Sequence, residues 1–212
     1  MSDDLIARLA ADLRPVPAGA MRSRLLLGLA GGVGLAAILM LAWPGLRPDL
    51  AAAVGTPIFW AKFAFTLVLA LLGFAAASRL GRPQGRFRGP LVGVFAVIAL
   101  TGAAGIVQII GAPADEVRTL VIGGSALLCP FYIVALSVPV LAASFAVMRR
   151  LAPTNLPAAG FAAGLLSGAA GAWVYAFHCT ESGLPFITLW YTAGILATAL
   201  IGAVLGRWLL RW

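Results

Sequence analysis

Residues 90–110 read PLVGVFAVIALTGAAGIVQII, 21 positions without a charge, preceded by Arg86 and Arg88 and followed by Asp115 and Glu116. At about 1.5 Å of rise per residue, a helix of this length covers the roughly 30 Å hydrocarbon core of a bilayer. The run is too long for a buried strand, which takes about 4–8 apolar residues. It also lacks the alternation of a barrel strand. In lipid, a helix satisfies its own backbone hydrogen bonds, so a helix is the spanning element expected here. Five more stretches have the same character: Leu25–Trp43, Ile58–Ala77, Cys129–Met148, Ala158–Phe177 and Pro185–Leu205. Turn chemistry separates them, at Pro44-Gly45, Gly81-Arg82-Pro83, Gly111-Ala112-Pro113, Pro153-Thr154-Asn155 and Ser182-Gly183.

Composition agrees with this reading. Of 212 residues, 62% are hydrophobic and 10% charged, with a mean hydropathy of +1.02. A soluble domain carries about 25% charged residues. The expected fold is all-α: a polytopic membrane protein whose residues 25–207 form a bundle of six transmembrane helices with short loops. Residues 1–24 and 208–212 are the tails. Arginines set the orientation. Arg8, Arg14, Arg22, Arg24, Arg79, Arg82, Arg86, Arg88, Arg149, Arg150, Arg207 and Arg211 all fall on one side, against Arg47, Arg118 and Lys62 on the other. By the positive-inside rule the first side is cytoplasmic, with both termini on it. The net charge of +8 is therefore a topology signal. Spread along short loops, it does not form a nucleic-acid-binding face.

Two spans carry stripes of small residues, Gly160, Gly164, Gly168 and Ala172 in the fifth and Gly194, Thr198, Gly202 and Gly206 in the sixth. Such stripes let backbones approach, within the bundle or between copies. Packing within the bundle is the expected use.

Candidate chemistry is sparse. Counting about 20 residues back from Arg149 brings Cys129 to the outer boundary, and counting as far forward from Ala158 brings Cys179 there too. Two thiols at one depth allow a disulfide or a shared metal ion, and in a Gram-negative host they face an oxidising compartment. They can equally be two small buried apolar residues. His178 and Glu181 add donors of the kind zinc or cadmium accepts, although adjacent helical positions such as 178 and 179 point about 100° apart. Lys62 lies about one turn inside the outer boundary, where it can snorkel to water or pair with Asp49, Asp115, Glu116 or Glu181. Trp43, Trp60, Trp190 and Tyr191 read as interfacial anchors.

In the amino-terminal tail, Ser2 caps a short amphipathic helix with Leu5, Ile6, Leu9 and Leu13 on one face, ended by Arg14-Pro15-Val16-Pro17. Such a helix suits a groove on a soluble partner or the inner leaflet, and its acidic residues favour the partner. The chain contains no phosphate-binding loop, H-E-x-x-H, C-x-x-C or nucleophile elbow. No acid sits at the centre of a span, which speaks against ion coupling. By themselves the residues describe a helical membrane protein with an outward thiol pair and a cytoplasmic docking helix, not an enzyme, with a small-solute or metal transporter as the alternative.

The order and spacing of several short motifs resemble the NrsF family, negative regulators of the extracytoplasmic-function sigma factor sigma-F. They are Asp4-Leu5-Ile6, Leu9, Asp12-Leu13 and Pro15-Val16; Arg47-Pro48-Asp49-Leu50; Phe59-Trp60 with Lys62; Cys129-Pro130; Tyr175 with His178-Cys179; Trp190-Tyr191; and Leu210-Arg211-Trp212. The resemblance implies a multi-pass anti-sigma factor of the bacterial inner membrane that releases its sigma factor under heavy-metal or oxidative stress. It implies that Cys129 and Cys179 are the sensor, holding a disulfide or a transient heavy-metal ion and no resident cofactor. It also implies that the cytoplasmic tail, through Leu5, Ile6, Leu9 and Leu13, contacts the sigma factor.

Overall fold

The computed structural model of the chain describes residues 11, 20–81, 87–151 and 153–211, with the backbone alone for residues 20–22. The tail positions Leu5, Ile6, Leu9 and Leu13 lie outside the described residues. Eight helices follow one another: α1 Ala20–Ala42, α2 Leu50–Ala53, α3 Pro57–Leu80, α4 Arg88–Gly111, α5 Ala114–Val121, α6 Leu128–Met148, α7 Leu156–Tyr175 and α8 Leu184–Leu209. All but α2 and α5 are long and apolar enough to cross a membrane. These six match the expected spans to within a few residues at each end.

Helix ends follow local chemistry. Pro57, Pro157 and Pro185 stand in the first turns of α3, α7 and α8, where a missing N–H costs nothing. Asn155 caps α7, its side-chain oxygen accepting from Ala158 N at 3.1 Å. The amphipathic helix α5, absent from the sequence reading, has Asp115 and Glu116 in its first turn and Arg118 in its last, the order a helix dipole favours. A π turn, Ile187–Tyr191, interrupts the start of α8.

Helix α7 is the axis of the bundle. It packs on α8, α3, α6 and α1, and 83% of its apolar window is buried, against 17% for α4, which leans on α3 and the start of α8. Its glycines explain why. A Cβ on Gly160 or Gly164 would strike the backbone oxygens of Gly202 or Thr198, and one on Gly202 would strike Gly160 O. The two small-residue stripes therefore face each other, and α7 and α8 meet backbone to backbone inside one bundle. On the outer surfaces, Leu27, Val92, Leu100, Val107 and Ile110 are exposed. A belt of this kind suits lipid and not water.

The core divides along the helix axes. One cluster gathers Leu25, Leu80, Phe145, Met148 and Leu210, at the end where Arg24, Arg79, Arg88, Arg149, Arg150, Arg207 and Arg211 are exposed. The other gathers Phe59, Phe63, Ile133, Tyr175, Tyr191, Cys129 and Cys179.

Candidate thiol site

Cys129 is the second residue of α6 and Cys179 follows the last turn of α7. These helices run antiparallel and in contact, so the start of one meets the end of the other. Both cysteines are free, in one buried cluster, and near enough to interact electrostatically. Their matched depth in the sequence thus becomes proximity in the fold. The expectation of a water-facing pair is corrected: Cys129 is 0% and Cys179 2% exposed.

Aromatic side chains wall the pair. Tyr132 stacks on Tyr175 at 5.7 Å, Tyr175 meets Tyr191 at 5.8 Å, and the His178 ring lies 5.6 Å from Tyr175. Tyr191 is fully buried, which corrects its reading as an interfacial anchor. Its hydroxyl lies against Cys179 but lacks hydrogen-bond geometry to any partner. Trp190 donates to Val121 O at 2.9 Å, tying α8 to α5, while Trp43 and Trp60 stay exposed as anchors should.

Residues 176–184 form a strap over this end, and its ties reach most of the surrounding elements. Arg47 N donates to Phe177 O, and His178 Nδ1 donates to Gly45 O at 2.9 Å. The Cys179 carbonyl accepts from Lys62 Nζ at 2.9 Å and Arg47 Nη1 at 3.1 Å. Glu181 Oε1 accepts from Gly124 N at 2.9 Å and Ser125 Oγ at 3.0 Å, and Leu184 N donates to Gln108 Oε1 at 2.8 Å. Arg47 is anchored in turn by Asp49, through Nε at 2.7 Å and Nη2 at 2.8 Å. That double bond lowers the Asp49 carboxyl below its ordinary value and raises the Arg47 guanidinium above its own.

Three expectations change here. Lys62 does not snorkel: it is 1% exposed, and its ammonium donates to a backbone carbonyl. Of the acids expected to pair with it, Asp49 is taken by Arg47 and Glu181 by the 124–125 turn, while Asp115 and Glu116 are exposed on α5. The auxiliary-ligand expectation is narrowed: His178 Nδ1 is bonded to Gly45 O, and Glu181 Oε1 to Gly124 N and Ser125 Oγ. Among the described residues no three of His, Cys, Asp and Glu gather into a metal-binding group. The two buried thiols remain as the groups of this site open to chemistry.

The strap and its ties were missed from the sequence. Two signals for them were present, the opposite charges of Arg47 and Asp49 around Pro48 and the Gly123-Gly124-Ser125 run. Neither reveals a partner more than 50 positions away.

The profile of the family described as negative regulator of sigma F, NrsF, matches residues 9–212. The chain belongs to the NrsF family. It is similar to the anti-sigma-F factor NrsF of Caulobacter vibrioides (strain NA1000 / CB15N), 43% identical over 215 residues, covering 100% of this chain and 99% of the relative. It is also similar to the probable anti-sigma-F factor NrsF of Azospira oryzae (strain ATCC BAA-33 / DSM 13638 / PS), 40% identical over 218 residues with 100% and 99% covered. No solved structure matches the chain. The family match thus takes in the bundle, the strap and both cysteines.

Proposed function

We propose that this chain is an anti-sigma factor embedded in the bacterial inner membrane, holding an extracytoplasmic-function sigma factor at its cytoplasmic face and releasing it when Cys129 and Cys179 react. The anti-sigma role rests on family membership and full-length similarity to relatives that carry that name. The reading of the cysteines is supported by one observation above all. Cys129, at the start of α6, and Cys179, within the strap that follows α7, share a buried site, and the strap is bonded to the α1–α2 loop, α3, α4 and the α5–α6 turn. Oxidation to a disulfide, or capture of a thiophilic metal ion with loss of two protons, changes the distance and charge between the ends of α6 and α7. Because α7 is the axis of the bundle, a shift at this end is carried to the arginine-rich end through close-packed backbone. The signal must favour the releasing state by several kcal/mol to switch the population.

The test replaces Cys129, Cys179 or both with Ser and follows sigma-dependent transcription under cadmium and under oxidant. Each single change should abolish the response as completely as the double, with repression and membrane level intact, because the pair acts as a unit. A normal response from the double variant would return both cysteines to packing. Thiol labelling in isolated membranes separates the chemistries: reductant exposes the thiols of a disulfide, and a chelator exposes those of a metal site.

A further inference from the structure

One tie of the strap differs from the rest. Arg47 and Lys62 both donate to the Cys179 carbonyl, but Arg47 brings its own counterion in Asp49. Among the described residues Lys62 holds no carboxylate of its own: Asp49, whose charge it feels, is bonded to Arg47. It projects from α3, is 1% exposed, and meets the neutral Cys179 carbonyl with the Cys179 thiol beside it. Each other acid described at this end is committed to another group or exposed on α5. A charge withdrawn from water with neutral dipoles and thiols around it and no carboxylate of its own is unfavourable. The Cys179 carbonyl does not need it, since Arg47 Nη1 already satisfies that oxygen.

We infer that Lys62 acts as a spring beneath the strap: its buried ammonium disfavours the closed state, and lifting the strap returns the charge to water, which keeps the covered thiols within reach of opening. The remaining ties hold the strap down. They are Arg47 N to Phe177 O, Arg47 Nη1 to Cys179 O, His178 to Gly45, Glu181 to Gly124 and Ser125, and Leu184 N to Gln108. Without an opposing element, Cys129 beneath the strap and Cys179 within it, 0% and 2% exposed, would stay covered and react slowly with any agent from outside. Lys62 is thus a positioning residue that sets how often the thiols are presented, while the other ties set how well they are covered. The inference deepens the sensor reading and rests on it for its purpose. Its test does not use the stress response.

The measurement is alkylation of Cys129 and Cys179 by N-ethylmaleimide in the full-length protein in lipid nanodiscs at one pH, each thiol followed by mass spectrometry. Lys62→Met keeps the length and removes the charge. It should slow both labelling of Cys179 and hydrogen exchange at the amides of Arg47 and Leu184, which carry two of the strap's ties, by about 10-fold or more, whereas Lys62→Arg should stay within about 3-fold of wild type. Slower labelling with unchanged exchange would report only the loss of a cation beside the Cys179 thiol, and overturns the inference. A lysine that served as a strut would give the opposite sign, since losing its bond would loosen the strap. Faster or unchanged labelling in Lys62→Met therefore overturns the inference. Lys62→Gln keeps a donor for the Cys179 carbonyl, removes only the charge, and predicts the same slowing should Met impair insertion. A Ser167→Cys reporter in a Cys129→Ser/Cys179→Ser background, buried in the middle of α7, should be unaffected by Lys62→Met. A parallel slowing there would assign the effect to the whole bundle and equally overturn the inference. If the double Ser variant still responds to stress, the sensor reading fails while the labelling result stands. If labelling is unchanged and the Ser variants are unresponsive, the spring fails alone.

Discussion

Gly123 offers the sharpest test of how the strap is held. It lies at φ +56°, in the left-handed region, with the Glu181 carboxylate against it. A Cβ there would stand 2.8 Å from Glu181 Oε1 and closer still to Oε2, so Gly123→Ala acts twice. The backbone strain of a non-glycine residue at positive φ is about 1–2 kcal/mol. Displacing the carboxylate also breaks its bonds to Gly124 N at 2.9 Å and Ser125 Oγ at 3.0 Å. At a site as exposed as Gly124, water replaces part of that loss, leaving about 1.5 kcal/mol for the pair. The sum, about 3 kcal/mol, raises the opening equilibrium of the strap on the order of 100-fold. Hydrogen exchange at the amides of Arg47, Gly124 and Leu184, each bonded in one of the strap's ties, with maleimide labelling of Cys179 alongside, reads this directly in the full-length protein. Glu181→Gln keeps an acceptor without strain and should change both rates by less than about 10-fold. If Gly123→Ala exchanges within about 3-fold of wild type, the turn does not hold the strap and the account of the closed state is wrong.

Acid should loosen the strap through Asp49. Because its carboxyl titrates below the ordinary value when paired with Arg47, the pairing contributes above about pH 4 and is lost as pH falls through the lowered value. Asp49→Asn should remove that acid step and quicken Cys179 labelling at neutral pH; an acid step that survives assigns it to another group. In the tail, replacing Leu9 and Leu13 with Asp should release the sigma factor without stress at unchanged membrane level, each buried apolar contact being worth about 1.5–3 kcal/mol. Repression that persists after deletion of residues 2–17 would move the binding surface to the connection around Arg79–Arg88. At the α7–α8 contact, Gly164→Ala places a Cβ 2.7 Å from Ala199 Cα and should lower stability in detergent by about 1–3 kcal/mol. Gly34→Ala, with nothing within 4 Å, should be neutral, and equal effects at both sites would refute the backbone-contact account.

The six long helices were legible in the sequence because a span is a one-dimensional property. About 20 uninterrupted apolar residues bury their own backbone wherever they later pack. The depth of Cys129 and Cys179 was legible for the same reason, since rise per residue converts a count into a height. The small-residue stripes announced a close contact, and facing glycines on α7 and α8 are its realisation. Tertiary structure alone decided what lies beside each residue at a given height. A count placed Lys62 one turn below the surface and near acids, but α3 turns it inward and the strap closes over it, beside a carbonyl 117 positions away. The same count put Tyr191 with the surface aromatics, while the π turn of α8 and the packing on Tyr175 bury it completely. His178 and Glu181 looked like ligands because they neighbour Cys179 in sequence, yet the strap hands them to Gly45 and to Gly124 with Ser125. Depth is summed along the chain from local geometry. Azimuth around the bundle depends on which helices are neighbours, and that is set only when all six pack together.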